Sequence, residues 1–216
     1  MIIISLKTES AAGRKPKDSD IGRIELSDGS LFSFRICYLP PEVNPAEMSE
    51  GNNINAVQEE GFRFASACLR AEKAALRLIA RAEQCTQGLL HKLKRRNHDK
   101  SCVNAVISRL CALNLINDRR YAGLWIESRL KFSRTPRRLL SSLCTRGIDH
   151  DDAEAALKIA LDEEEELAML LRYVKRHPFK ADKKTKNDSA YSFKYRLKSE
   201  GFSSQIINRF YDEQNP

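Results

Sequence analysis

Two short stretches near the start of the chain alternate polar with apolar residues, Arg23-Ile24-Glu25-Leu26 and Leu31-Phe32-Ser33-Phe34-Arg35-Ile36. A period of two puts the apolar side chains on one face of a strand. Between them stands Asp28-Gly29, which suits the positive φ values of a tight hairpin turn. The pattern predicts a β-hairpin. An isolated pair of strands is marginal in water, so the hairpin must pack on another element or serve as an arm. Residues 39–55 carry Pro40, Pro41, Pro45, Gly51 and several Asn, and read as a linker or loop. Beyond them the apolar spacing becomes helical and stays so to the end.

The helical part repeats. Leu89-Leu90-x-x-Leu93-x-x-Arg96-Asn97-x-Asp99 returns 50 residues later as Leu139-Leu140-x-x-Leu143-x-x-Arg146-Gly147-x-Asp149. A third copy follows 54 residues further on, as Phe193, Leu197, Gly201, Phe202, Ser203, Ile207 and Phe210. Asn97, Gly147 and Gly201 suit a left-handed residue that ends one helix. Asp99, Asp149 and Ser203, two positions on, can cap the next helix by accepting from its free N–H groups. Thr135-Pro136 reads as an N-cap with proline at the first helical position, and Thr86 and Ser189 sit near the equivalent places. A further helix precedes each pair, over about 69–83, 118–131 and 162–176, with apolar faces at Leu76/Ile79, Leu124/Trp125 and Leu170/Leu171/Val174.

The predicted fold is therefore mainly α: three tandem three-helix repeats forming an elongated curved body, with an N-terminal β-hairpin. The boundaries read as a hairpin arm and linker over 1–55, a first module with its lead-in helix over 56–117, a second over 118–161 and a third over 162–216. Residues His177 to Asp188 form a basic loop inside the third module, open to reading as a contact or as a solubilising linker.

Charge adds a class of partner. The chain of 216 residues carries a net charge of +8, which favours an acidic surface, nucleic acid or protein. The charge is blocked rather than uniform. Residues 119–146 hold eight Arg/Lys against one Glu, 172–198 ten against two Asp, and 149–166 nine acids against Lys158. The run Asp162–Glu166 reads as a solvated helix flank. No apolar run approaches the roughly 20 residues of a membrane span, and Met1–Leu6 is shorter than a signal-peptide core of about 7 residues, so a cytoplasmic protein is expected.

Candidate chemistry is sparse. Cys37, Cys68, Cys85, Cys102, Cys111 and Cys144 form no C-x-x-C pair and read as reduced, partly buried thiols. Cys85, His91, His98 and Cys102 are the best metal candidates, but their gaps match no zinc spacing, and no metal or cofactor is expected. Phosphate loops, dinucleotide fingerprints and nucleophile elbows are missing from the sequence, and no His has a convincing nucleophile and orienting acid. A binding protein rather than an enzyme is expected.

An ordered series of these residues is similar to the RecX family of recombination regulatory proteins. It runs through Leu89-Leu90-x-Lys92-Leu93 with Arg96, then Leu110-x-x-Leu113-x-Leu115-Ile116-Asn117-Asp118-x-x-Tyr121-Ala122 and Arg129. It ends on Pro136-Arg137-Arg138-Leu139-Leu140-x-x-Leu143-x-x-Arg146-Gly147-Ile148, so that it covers about residues 69–160. The Asp28-Gly29 hairpin and Gly51-Asn52-x-Ile54 resemble an optional front end of some members. Thr135 and Asn97 stand where that family usually has Gly, and His98 where the other two modules have Ile148 and Phe202. The resemblance implies a modulator, usually negative, that lodges in the groove of the RecA filament on single-stranded DNA and restrains ATP hydrolysis, strand exchange and filament extension; a monomer is expected. Direct DNA binding through helix-turn-helix-like modules is the alternative.

The residues expected to meet the partner are three sets of cations. Lys92, Lys94, Arg95 and Arg96 belong to the first module, Arg129, Arg134, Arg137 and Arg138 to the second, and Lys194, Arg196 and Lys198 to the third. Arg presents a planar fork to carboxylate or phosphate, although Arg96 can also simply complement the end of its helix. Tyr121 and Trp125, one turn apart, read as core. Tyr191, Phe193 and Tyr195 interleave with Lys194 and Arg196, the one place where an aromatic-basic pattern of nucleic-acid binding has local support, although helical geometry places only part of that set outside.

Overall fold

The computed structural model describes residues 1–8, 20–130, 132, 135–178 and 186–214. The chain forms two compact units, Met1–Ile116 and Asn117–Pro216. Among the described residues no helix is long and apolar enough to cross a membrane.

In the first unit the predicted hairpin is present as β2 (Ile21–Leu26) and β3 (Leu31–Arg35), with Gly29 at φ 83° in the turn. A third strand, β1 (Ile3–Thr8), adds to β2, so the sheet is antiparallel with order β1-β2-β3. The apolar residues of the alternation, Ile24, Leu26 and Phe34, all point inward with Ile3. Gly22 faces Phe34 across the ladder, and a Cβ there would come within 2.4 Å of the ring, so only glycine lets the ring lie flat on the strand.

The sheet packs on α1 (Ala56–Ile79), where Phe34 meets Phe62 with ring centroids 5.0 Å apart. This helix starts well before the expected residue 69. Asn55 and Gln58 close a reciprocal capping box, the Asn55 side chain accepting from Gln58 N–H at 2.8 Å and the Gln58 side chain from Asn55 N–H at 3.0 Å. The preceding loop also belongs to this packing. It contains two 3₁₀ turns and buries Val43 and Ile54, and Val43 and Pro40 press on α1 at Gly61.

Two further helices, α2 (Thr86–Lys94) and α3 (Lys100–Ala112), complete the unit. Leu89, Leu93, Val103, Val106 and Leu110 join the sheet residues in one continuous core. The core also encloses an ion triad. Glu72 of α1, whose side chain is 4% exposed, accepts from Arg35 Nε of β3 at 2.7 Å and lies 3.5 Å from Arg109 Nε of α3.

The second unit holds two three-helix sets: α4 (Asp118–Leu130), α5 (Pro136–Cys144) and α6 (His150–Ala160), then α7 (Glu163–Arg176), α8 (Lys186–Ser199) and α9 (Ser204–Gln214). The repeat signature has the backbone it calls for. Asn97, Gly147 and Gly201 adopt φ values of 60°, 81° and 90°. Asp99 and Asp149 accept from the N–H groups of Ser101 and Asp151, and Ser203 Oγ accepts from Ile206 N–H.

Four further sequence expectations need correcting. Leu76, Leu124 and Leu171 point to solvent, because the buried stripes of their helices run through Ala75, through Ala122 and Ile126, and through Leu167 and Leu170. Tyr121 and Trp125 are half-buried rather than core. Thr135 occupies the N-cap position of α5, but its hydroxyl caps no N–H; it donates to Glu200 Oε2 at 2.7 Å, while Thr86 lies one residue inside α2. Finally, the Asp162–Glu166 run is not only a solvated flank. Asp162 caps α7, Glu166 accepts from the N–H and hydroxyl of Ser203 at 2.6 and 3.0 Å, Glu163 accepts from Gln205 and Glu164 from Arg209. These acids fasten α9 to the first turn of α7.

Candidate partner-binding surface

The cations expected to meet a partner fall into distinct physical situations. In the first unit Lys92, Lys94, Arg95 and Arg96 are all exposed around the end of α2. Lys92 is committed, since its Nζ donates at 2.6 Å to the buried side chain of Gln84. Lys94, Arg95 and Arg96 lead into the left-handed turn at Asn97. The next residue, His98, has its pKa lowered by burial first, then by Arg70 and Arg96, so it stays neutral to more acidic pH than a free imidazole.

In the second unit Arg137 and Arg138 occupy the first turn of α5 and are exposed. The Arg137 backbone N–H donates to Glu200 C=O at 3.0 Å and its Nη1 to Ser199 C=O at 3.2 Å, so Arg137 also fastens the turn after α8. Gly201 makes that approach possible, as a Cβ there would sit 3.0 Å from Arg137 N. Arg137, Arg138, Ser141, Ser142 and Glu200 line a cleft of about 290 Å³. Two Arg, two Ser and one Glu make it a polar recess, in which Glu200 already accepts from the Thr135 hydroxyl.

Arg129 lies beside the Trp125 ring at 5.7 Å. Arg146, outside the expected set although its repeat position matches Arg96, stacks closer at 4.7 Å and donates to Ser142 C=O at 2.9 Å. The shared repeat position was the signal that could have flagged it. Arg134 lies outside the described residues.

On α8, Lys194 donates to Asn208 at 2.9 Å with Tyr211 at 6.0 Å, and Arg196 lies over Phe193 at 4.8 Å while donating to His177 C=O at 3.1 Å. Lys198 is exposed. The interleaved aromatics divide as helical geometry requires: Phe193 is buried, whereas Tyr191 and Tyr195 are 77% and 68% exposed.

The other candidate chemistry stays apart. All six cysteines are free thiols, and burial, with Cys102 as a hydrogen-bonding neighbour, pushes the Cys68 thiol far above its usual range. Among the described residues no three His, Cys, Asp or Glu side chains are placed to hold a metal ion.

Comparison with known proteins places the chain. The family model "RecX, second three-helix domain" matches residues 117–157. A regulatory protein RecX of Treponema pallidum is 36% identical over 114 residues, spanning 52% of this chain and 70% of that protein. One from Caldanaerobacter subterraneus is 22% identical over 162 residues, spanning 75% and 79%. Among solved structures, a crystal structure of regulatory protein RecX superposes with a TM-score of 0.66 at 18% identity, covering 98% of each chain. RecX from Lactobacillus salivarius gives 0.53 at 23% identity over 69% of this chain and 97% of that one. The chain belongs to the RecX family of regulatory proteins.

Proposed function

We propose that this chain binds the RecA recombinase assembled on single-stranded DNA and restrains its ATP hydrolysis, strand exchange and filament extension, acting as a cytoplasmic monomer with its three-helix modules as the binding units. Family membership carries the reading. The cleft at Arg137 and Arg138 supports it, because exposed guanidinium groups flanked by hydroxyls suit carboxylates of a partner surface. The chain needs no catalytic group for this role, since it would act by occupying a surface.

The test is RecA ATP hydrolysis on single-stranded DNA at moderate salt, with this chain added well below one molecule per RecA protomer. Inhibition under those conditions supports filament capping or groove binding. Arg138→Glu is the informative variant, because Arg137 also fastens the turn after α8. It should raise the concentration needed for inhibition by about tenfold, ~1.4 kcal/mol. Unchanged hydrolysis and filament length, with tight and salt-steep binding to bare DNA, would overturn the reading.

A further inference from the structure

We infer that the outer face of α8 is a stacking site for the bases of a single nucleic-acid strand, with Tyr191 and Tyr195 as the platforms and Lys198 as a phosphate contact. The tyrosines are 77% and 68% exposed, although tyrosine rings more often bury most of their surface. They stand one turn apart, about 6 Å along the helix axis. Lys198 continues the same face one turn later and is also exposed. The helix packs through Phe193 and Leu197 on its other side, so the tyrosines are not needed for the core.

The repeat makes the same point independently. The positions equivalent to Tyr191 and Tyr195 are Gln87 and His91 in the first module and Arg137 and Ser141 in the second, all polar and exposed. The module does not call for aromatic residues there, and only the third carries them. Charge selects the occupant. Residues 191–198 of the helix hold Lys194, Arg196 and Lys198 and no acid, so its charge favours a polyanion, and an exposed aromatic pair beside them favours unpaired bases over the closed stack of a duplex. Of the described neighbouring cations Lys194 donates to Asn208 and Arg196 to the His177 carbonyl, whereas Lys198 is exposed on the same face as the tyrosines.

This site goes beyond the RecA reading, and its affinity is measured without RecA. Fluorescence anisotropy of the full chain with a labelled oligothymidylate of roughly 20 nucleotides, against a duplex of the same length, gives the affinity and its salt slope. Each Tyr→Ala change should weaken oligothymidylate binding about tenfold and Y191A/Y195A about 100-fold. Y191F/Y195F, which keeps both rings, should retain binding, and circular dichroism should show equal helicity in all variants. Equal affinity of Y191A/Y195A and the parent chain would overturn the inference, as would a parent chain that prefers duplex. So would a Y191A/Y195A chain that keeps its oligothymidylate affinity but no longer inhibits RecA, which would make the face a protein contact.

Discussion

The ion triad at Glu72 allows a prediction in which two ways of breaking the same contacts have unequal costs. Glu72 is buried at 4% side-chain exposure, whereas Arg35 and Arg109 keep 16% and 21%. Glu72→Gln removes the deepest charge and leaves two guanidinium groups that can turn toward water, keeping an amide oxygen as acceptor; the loss is about 1–2 kcal/mol, near the value of one charge-assisted hydrogen bond. Arg35→Met with Arg109→Met removes the shallower charges and strands the carboxylate, which costs about 3–5 kcal/mol. Melting by far-UV circular dichroism is the assay, since Trp125, the only tryptophan, lies in the other unit. For a unit the size of Met1–Ile116, about 4 °C of melting temperature accompanies each kcal/mol, so the midpoints should fall by about 4–8 °C and 12–20 °C. Arg63→Ala, which breaks an exposed pair with Glu59, should cost no more than about 0.5 kcal/mol. A Glu72→Gln variant as destabilised as the double methionine variant would refute the argument from unequal burial.

Two other perturbations follow from the turns. Gly201→Ala meets both the left-handed backbone and the close Arg137 amide and should cost about 2–4 kcal/mol by urea midpoint, against about 1 kcal/mol for Gly29→Ala, whose added Cβ meets open space. His98→Ile should make the protein less sensitive to acid: the lowered pKa means that the unfolded chain binds the proton first, so the His98 penalty grows as pH falls below about 6.5 and on through the folded value. Melting curves from pH 7.5 to 5 should show the variant gaining on the parent chain toward the acid end, and parallel curves would refute this.

The parts of the fold written in local chemistry were legible in the sequence. Asn97, Gly147 and Gly201 with their caps define each helix joint within a few residues, and Asp28-Gly29 defines the hairpin. What depends on distant residues was not. The first forty residues read as strand, but that Ile3–Thr8 forms a third strand beside β2 is told only by its pairing, where a register shift between Ile3 and Ser5 breaks the alternation. The acids of α7 look like solvated charge until α9 folds onto them, with Glu166 finding Ser203. Thr135 reads as a cap because Thr before Pro so often is one, but Glu200 takes its hydroxyl instead. At the candidate site the cation positions were readable, whereas the commitment of Lys92 to Gln84 and of Arg137 to the turn after α8 was not, because a sequence does not say which charges the fold consumes.

The joint where α8 meets α5 is written largely in main-chain atoms. Arg137 reaches the carbonyls of Ser199 and Glu200, which any residue supplies, the close approach asks that position 201 lack a side chain, and Thr135 to Glu200 adds one side-chain contact. Such a seam can tolerate drift over much of its length while keeping its geometry, provided Gly201 and the few side chains that cross it stay fixed. A duplicated module could in this way diverge in surface and charge while remaining able to click onto its neighbour.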